Sequence, residues 1–408
     1  MPANLKLRVV KSIAEVDPAR WDACANPDVD PQADNILQKE RFNPFVTHAF
    51  LTCCEASGSA TPRTGWGGAH VLVEDEAGGL LACAPTYVKT HSQGEYVFDH
   101  GWADAYERAG GRYYPKLQTC VPFTPAPGRR LLVADGPRSA EARKALVAGL
   151  RAATQKLGAS SLHVAFCQEG EWNELGAQGF LRRTNKQFHF VNKGYGGFDD
   201  FLGALASRKR KVLKRERRDA LAAGIEIEWA TGASLTRAHW DAFFVFYLDT
   251  GGRKWGTPYL NRKFFEMLHE RMADRVLLVM AKRAGKYIAG ALNLIGDDAL
   301  YGRNWGCVEE HPFLHFEVCY YQAIDFALSR GLSRVEAGAQ GEHKLLRGYE
   351  PAPTYSAHLI PDPRFARAVE DFLERERADV ERAIEAYAEH TPFRKGEPPK
   401  AGGDGAGS

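Results

Sequence analysis

One stretch late in the chain constrains the fold more than any other. It contains a short apolar strand at 300–304, an amphipathic helix at 313–329 and a second strand at 334–339. Pro312 precedes the helix, at a position where the missing N–H of proline is not needed. Gly331 follows it and can take the left-handed conformation that ends a helix. A strand, a helix and a strand in this order predict a parallel crossover unit, and hence an α/β fold.

Polar side chains follow both strands of this unit. Arg303 and Asn304 stand at the end of the first strand, and the segment 340–344 comes directly after the second. Because ligands collect beyond the carboxyl ends of such strands, we expect these residues to form a site. Gly338 and Gly341 would let a ligand approach the backbone closely. The alternative for any one of these side chains is a solvated loop residue.

The residue types in this region predict acid–base chemistry next to an anionic group. His343 or Glu342 would act as a base, and Glu317, in the first turns of the helix, is a further candidate. Cations and amide donors would hold phosphate or carboxylate groups of the substrates. The substrate-binding residues predicted on these grounds are Arg303, Asn304, Gln340, Lys344 and Arg347.

Length and composition bound the remaining possibilities. A chain of 408 residues exceeds one ordinary core, so two domains are expected. A formal charge of +2 excludes bulk attraction to nucleic acid or membrane, so any such attraction must be local. No apolar run approaches the roughly 20 residues that span a bilayer, and the first residues lack the apolar segment of a signal peptide. Eight cysteines without a C-x-x-C pair indicate reduced thiols and a cytoplasmic protein.

The order of predicted elements repeats once along the chain. Each half contains a hairpin, a strand, a crossover helix and a strand, which predicts two similar α/β modules with mixed sheets, packed around a shared cleft. The first module covers 1–186 and carries an inserted aromatic and proline-rich loop at 103–138. The second covers 187–390 and carries the main site. Residues 391–408, dominated by Pro, Gly and Ser, are predicted to be a disordered tail.

A basic run at 207–218 contains eight cations and one anion. Like charges at i,i+4 weaken a helix, so an RNA or phosphate partner would offset a real repulsion. The alternative is a solvated helix face paired with acids elsewhere in the fold. The predicted nucleic-acid contacts are Arg208, Arg210, Lys211, Lys214 and Arg215.

Two weaker patterns lie in the same region. His311, His315 and Cys319 lie at i, i+4 and i+8, but His311 precedes Pro312 and no fourth ligand is placed, so no metal site is predicted. The turn at 303–308 is close to an anion-cradling turn at a helix N-terminus, although it holds a single glycine. The sequence contains no nucleophile elbow, Walker loop or dinucleotide fingerprint.

Several motifs together resemble a known family. They are Tyr114-Pro115-Lys116-Leu117-Gln118 with Pro122-Phe123-Thr124-Pro125, Leu314-His315-Phe316-Glu317, and Gly338-Ala339-Gln340-Gly341-Glu342-His343-Lys344. They resemble the bacterial FemAB-like family, described as predicted N-acyltransferases or peptidoglycan biosynthesis/recognition proteins, and cover most of residues 40–375. The resemblance implies a tandem GNAT-like fold. It also adds His315 and Tyr349 as substrate-binding residues, since Arg347-Gly348-Tyr349 looks like the Lys-Gly-Phe with which Fem enzymes close this region.

The resemblance further implies transfer of an acyl or aminoacyl group to an amine, possible acceptors being a peptidoglycan precursor or a peptide. No tightly bound cofactor is expected; the co-substrate would be acyl-CoA or aminoacyl-tRNA. Arg303 and Gly306 fit the turn with which GNAT enzymes hold acyl-CoA pyrophosphate, but Val308 does not, so both donors stay open. Asp99 and His100 in the first half are predicted to bind the acceptor. The alternative function is a non-catalytic module that recognises a cell-wall precursor or RNA.

Overall fold

A computed structural model of the chain describes residues 4–27, 42–254, 258–338 and 341–394. Its strands are β1 Lys6–Val10, β2 Trp66–Gly68, β3 His70–Glu74, β4 Leu80–Ala84, β5 Thr86–Lys89, β6 Lys116–Thr119, β7 Leu132–Val133, β8 Leu162–Cys167, β9 Leu181–Val191, β10 Ile225–Thr231, β11 Val276–Arg283, β12 Lys286–Ile295, β13 Ala299–Cys307, β14 Arg334–Glu336 and β15 Glu350–Leu359. The helices are α1 Pro18–Ala25, α2 His48–Ala56, α3 His100–Arg108, α4 Ser139–Lys156, α5 Glu169–Ala177, α6 Phe198–Ala204, α7 Ser207–Leu221, α8 Arg237–Lys254, α9 Arg262–Met272, α10 Leu314–Phe316, α11 Gln322–Ser329 and α12 Pro363–Glu389.

The chain forms two compact units. Unit 1 contains residues 1–185, 259–272 and 353–382, and unit 2 contains 186–258, 273–352 and 383–408. The first change of unit lies one residue from the predicted module boundary. The second predicted module, however, gives two of its segments to unit 1. Sequence order hides this exchange, because it depends on which core each segment packs against.

Unit 1 is built on two layers of strands. One sheet has the antiparallel order β1-β3-β4-β7. The second contains β2, β5, β6, β8 and β15, and its β6 and β8 run parallel. The helix α4 connects β7 to β8 and buries Ala142, Leu146 and Leu150, spaced at i, i+4 and i+8, against the apolar core of this unit.

Unit 2 contains the predicted crossover. Its strand order is β10-β11-β12-β13-β14-β9, with β13 and β14 parallel and the other pairs antiparallel. The connecting helix is interrupted: α10 is followed by a π turn, Glu317–Tyr321, before α11 continues to Ser329. The apolar residues predicted on the inner face of this helix, such as Val318, Tyr321 and Ile324, are all buried.

The start of the predicted disordered tail is ordered. Phe393 forms a bridge with Leu205, and the backbone N–H of Ala206 donates to the carbonyl of Pro392 at 2.9 Å. The tail prediction is therefore wrong for residues 391–394; residues 395–408 lie outside the described residues. In the part of the chain that the structure describes, no helix has both the length and the apolar composition needed to cross a membrane.

Gly306 is required by packing rather than by a ligand. A Cβ at this position of β13 would lie 2.1 Å from the carbonyl oxygen of Phe246 in α8. The residue belongs to the strand, so the anion-cradling turn predicted at 303–308 is not formed.

We expect Gly306→Ala to lower the free energy of unfolding by about 3 kcal/mol, because backbone must move to relieve the contact. The measurement is chemical denaturation of the full chain. The matched control is Gly203→Ala in α6, where an added Cβ meets nothing within 4 Å. Equal stability of the two variants would contradict this account of β13 packing.

Candidate active site

Two parallel strands part at the centre of unit 2. β13 pairs with β14 from Ala299 to Tyr301, where Tyr301 lies opposite Glu336, the last residue of β14. β14 ends at Glu336, whereas β13 continues for six residues beyond Tyr301, to Cys307. The pairing between these two strands therefore ends at Tyr301 and Glu336. This opening is the structural centre of the candidate site.

A bulge lies on the same stretch of β13. Its partner strand β12 pairs Asn293 with Gly302 and Leu292 with Asn304, which leaves Arg303 as the extra residue. Bulges redirect side chains and often occur beside active sites. Arg303 and Asn304 are both half-buried here, at the predicted end of the sheet.

The segment after β14 folds back toward the strand end. Gly338 and Gly341 have φ of +78° and +117°, and a short 3-10 helix, Glu342–Arg347, follows. The buried Lys344 donates to the carbonyls of Ala337 and Gly338 at 2.6 and 2.9 Å. Burial lowers the pKa of Lys344 to about 8. The segment thus holds an ammonium group at the end of β14. The predicted site residue Gln340 lies outside the described residues.

His343 is the candidate base that the structure supports best. The side chain is exposed, and its Nε2 lies 2.8 Å from the hydroxyl of Tyr320 in the π turn. Partial burial, followed by the charges of Arg347 and Lys344, lowers the pKa of His343 below its usual 6.5. Burial raises the pKa of Tyr320, so this hydroxyl keeps its proton. A neutral imidazole bonded to a phenol can accept a proton from an amine and pass it on.

Aromatic rings surround this histidine. The ring of His315 lies 5.3 Å from Tyr320 and 5.2 Å from Trp305 of β13. The buried Tyr349 directs its hydroxyl to the carbonyl of Tyr320 at 3.5 Å, which makes it a support for the base rather than a substrate ligand. The predicted residues His343 and His315 thus come together, although they are 28 positions apart in the sequence.

Arg347 links the site to the basic helix. Its guanidinium donates to Glu216 of α7 at 2.9 Å and to the carbonyl of His343 at 2.7 Å. The same group lies 3.4 Å above the ring of Phe316. A guanidinium bound on three sides fixes the backbone of the residue that carries the base.

The two candidate carboxylate bases are placed differently from His343. Glu317 is fully buried, accepts from Arg217 at 2.9 Å and from Gln322 at 2.7 Å, and so has neither solvent access nor free lone pairs directed outward. Its geometry is that of a structural ion pair, against the predicted role as a base. Glu342 is exposed and accepts from the hydroxyl of Tyr387, at the rim of the segment.

The basic run forms one helix, α7, with two different faces. The outer face carries the exposed side chains of Arg208, Lys211, Lys214 and Arg215, whereas Arg210 is half-buried and donates to the carbonyl of Leu205. The inner face carries Leu213, Glu216, Arg217 and Ala220. The single acid of the run therefore points inward, and the outward face is cationic.

Sequence reasoning missed the inner pair of α7. Glu216 binds Arg347 and the hydroxyl of Tyr321, and Arg217 binds Glu317 at 2.9 Å and Asp325 at 2.7 Å. The one usable signal was the lone acid among eight cations, since an isolated opposite charge at a helical inner position indicates a specific partner.

The predicted acceptor residues lie in unit 1. Asp99 is buried, accepts from the hydroxyl of Tyr113 at 2.7 Å and forms an ion pair with the ammonium of Lys116. Burial raises the pKa of Asp99, but Lys116 and His163 outweigh it, so the carboxyl pKa is lowered and the group is ionised. His100 is the first residue of α3 and is exposed. The two neighbouring residues therefore differ, since Asp99 is buried in an ion pair and His100 faces solvent.

The residues weighed as metal ligands do not converge. His311 lies 3.1 Å from Glu309, before the helix, and His315 packs among aromatic rings. Within the described ranges, no three side chains of the ligand types His, Cys, Asp and Glu are grouped as a metal site would need.

The family comparison covers nearly the whole chain. The model of the FemAB-like family, described as peptidoglycan biosynthesis/recognition, matches residues 12–395. This confirms the resemblance drawn from the motifs. No curated protein matches the sequence.

The chain is similar to several solved structures at low sequence identity. FemX is 13% identical with a TM-score of 0.52, over 90% of this chain and 100% of that chain. L-PGS from Bacillus licheniformis is 10% identical with a TM-score of 0.49, over 86% of this chain and 98% of the other. A tandem GNAT protein from the clavulanic acid biosynthesis pathway is 14% identical with a TM-score of 0.43, over 88% and 99%. The family match and the similarity to FemX confirm the predicted mixed α/β, tandem GNAT-like fold.

We expect Arg347→Met to raise the pKa of His343. The variant removes a positive charge that lowers this pKa and leaves the carboxylate of Glu216 uncompensated, and both changes favour the imidazolium. The pKa is measured by NMR titration of the His343 ring, assigned with His343→Gln. Arg215→Met, which removes an exposed cation of α7, is the control and should leave the value unchanged. An unchanged pKa in Arg347→Met would contradict the described contact.

Proposed function

Because this chain belongs to the FemAB-like family of peptidoglycan biosynthesis and recognition proteins, we propose that unit 2 transfers an aminoacyl group from aminoacyl-tRNA to the amine of a peptidoglycan precursor or peptide. Membership supports the enzyme class, an acyl- or aminoacyltransferase. The observation that carries the proposal is the opening between β13 and β14, with His343, Lys344 and Arg347 directly after β14. A cytoplasmic location is part of the proposal.

The reaction needs one proton transfer. The amine nitrogen attacks the donor carbonyl carbon, a C–N bond forms, and the bond from that carbon to the leaving oxygen breaks. One proton must pass from the nitrogen to that oxygen. His343 takes it, and the hydroxyl of Tyr320, 2.8 Å away, relays it. A direct transfer of this kind forms no acyl-enzyme intermediate.

The opened strand would stabilise the developing charge. The backbone of β13 beyond Tyr301 is held in place by pairing with β12. Donors held in place before the reaction stabilise an oxyanion without reorganisation. The half-buried Arg303 would hold an anionic group of a substrate, whereas the buried Lys344 holds the carbonyls of Ala337 and Gly338 in place.

The choice of donor rests on α7. The inner side of this helix binds Arg347 and Glu317, and its outer side presents exposed cations. A long polyanion that lies along the outer face would bring its aminoacyl end toward the opening, and counterion release would supply affinity. Acyl-CoA is the second candidate donor, favoured by Arg303 beside the opening. A non-catalytic binder remains the alternative function.

We expect His343→Gln to lower the rate of transfer by roughly 10²–10⁴-fold while donor and acceptor binding are retained, the range usual for loss of a general base. In the wild type the rate should fall as the pH drops through the pKa of His343, because the imidazolium cannot accept a proton; this decline lies below pH 6.5. The assay follows labelled aminoacyl transfer across pH. A variant that changes affinity alone would favour the non-catalytic binder.

We expect the replacement of Arg208, Lys211, Lys214 and Arg215 by Gln to weaken binding of aminoacyl-tRNA and to reduce its salt dependence by about 0.9 in log–log slope per lost phosphate contact. The matched control replaces the same number of exposed cations on α12, namely Arg364, Arg367, Arg375 and Arg382, by Gln. Equal losses in both variants would indicate general charge attraction only. Saturable binding of acetyl-CoA, lost in Arg303→Ala, would instead assign acyl-CoA as donor.

A further inference from the structure

One face of a unit 1 sheet carries a group of buried polar side chains. Lys116 and Gln118 of β6 point to the same side, and their partners in register are Lys89 of β5 and His163 of β8. His358 of β15 lies opposite His163 on that side, and all five side chains are fully buried. The other face carries Leu117, Leu162 and Val164 in the apolar core. A sheet that served packing alone would be apolar on both buried faces.

Charged groups from the segment before α3 cover this face. The ammonium of Lys116 donates to Glu95 at 2.7 Å and also binds Asp99. Lys89 lies 3.4 Å above the ring of Trp66 and 3.7 Å from Glu95. Burial lowers the pKa of Lys89 to about 7 and raises that of Glu95 to about 7. Buried ion pairs of this kind contribute little to stability, because desolvation offsets the attraction.

Several polar atoms of this buried face have no hydrogen-bond partner. Both amide atoms of Gln118, one carboxylate oxygen of Glu95 and one of Asp99 are without one. Each side chain is at least 97% buried. Leaving such a group unsatisfied costs about 1–3 kcal/mol. Three acceptors and one donor therefore lower the free energy of unfolding without a packing role that would explain them.

The cover itself is strained. Tyr96 and Phe98 have φ of +59° and +55°, the left-handed region that non-glycine residues rarely adopt, and Phe98 is 57% exposed. Between them, the carbonyl of Val97 accepts from Arg183 at 2.6 Å, which holds the segment in place. Strain of this sort concentrates at ligand clamps.

We propose that this face is a binding site for a ligand that carries a primary ammonium group next to a carbonyl, such as an amino-acid amide or a peptide N-terminus. The oxygens of Glu95 and Asp99 that have no hydrogen-bond partner accept from the ammonium, and the amide of Gln118 pairs with the neighbouring carbonyl and N–H. The strained segment around Val97 is the part that moves to admit the ligand. Binding here stands apart from transfer in unit 2 and would survive a failure of the transferase proposal.

The test titrates the full chain with L-alaninamide by calorimetry, and in parallel with N-acetyl-L-alaninamide, which lacks the ammonium. We expect saturable binding of the first and at least about tenfold weaker binding of the second. Gln118→Met should weaken binding of L-alaninamide by about tenfold while thermal stability is unchanged or raised, because the variant removes an unpartnered buried amide. Gln155→Met, at an exposed glutamine of α4, is the matched control.

A second variant, Glu95→Gln, tests the ammonium contact separately, since Lys116 keeps Asp99 and Ser92 as partners. It should weaken L-alaninamide binding and leave the weak binding of the acetylated probe unchanged. The proposal is overturned if the wild type shows no saturable binding, if the acetylated probe binds equally well, or if Gln118→Met and Glu95→Gln both bind like the wild type.

Discussion

Two neighbouring residues of opposite charge, Glu216 and Arg217, hold unit 2's candidate site together. Glu216 binds the guanidinium of Arg347, which in turn fixes the carbonyl of His343. Arg217 binds Glu317 in the π turn. The desolvation free energy of buried ion pairs offsets most of their electrostatic attraction. These pairs therefore fix the positions of the residues that they join and add little to the stability of the fold. The base and the helix beneath it are thereby placed by one turn of α7.

The same helix separates its charges by face. Leu213, Glu216, Arg217 and Ala220 recur at helical spacing and turn inward, so the remaining cations must crowd on the outside. Such crowding weakens a helix at i,i+4. The ion pairs of Glu216 and Arg217 hold α7 against the site despite this repulsion. The exposed cations of the outer face can then attract an anion. Glu216 and Arg347 connect α7 to the 342–347 segment, and Arg217 and Glu317 connect it to the π turn that carries Tyr320.

Local pattern was enough to predict the crossover, since strand, helix and strand are each recorded in periodicity, proline and glycine. It was enough to group His343 with Lys344 and Arg347, which are neighbours in sequence. It failed for Glu317, whose partner Arg217 is 100 positions away, and for Gly306, whose role depends on the carbonyl of Phe246. Contacts across the fold decide whether a carboxylate is a base or half of an ion pair, and no local pattern records them.

The parallel pair β6–β8 of unit 1 differs from the parallel pair β13–β14 of unit 2 in what occupies the space beside its strands. In unit 1, β6 and β8 are parallel like β13 and β14, but the loop after β6 returns to β8. Arg130, almost fully buried, donates to the carbonyls of Ala165 and Ala126 at 2.9 and 2.7 Å, and Gly128 donates to that of Phe166 at 3.0 Å. Backbone groups that would face a donor in an open crossover are thus satisfied by the chain itself. Acyl-transfer chemistry therefore fits unit 2, whereas the unpartnered polar atoms of unit 1 lie on the sheet face, where recognition rather than reaction is the role that their geometry supports.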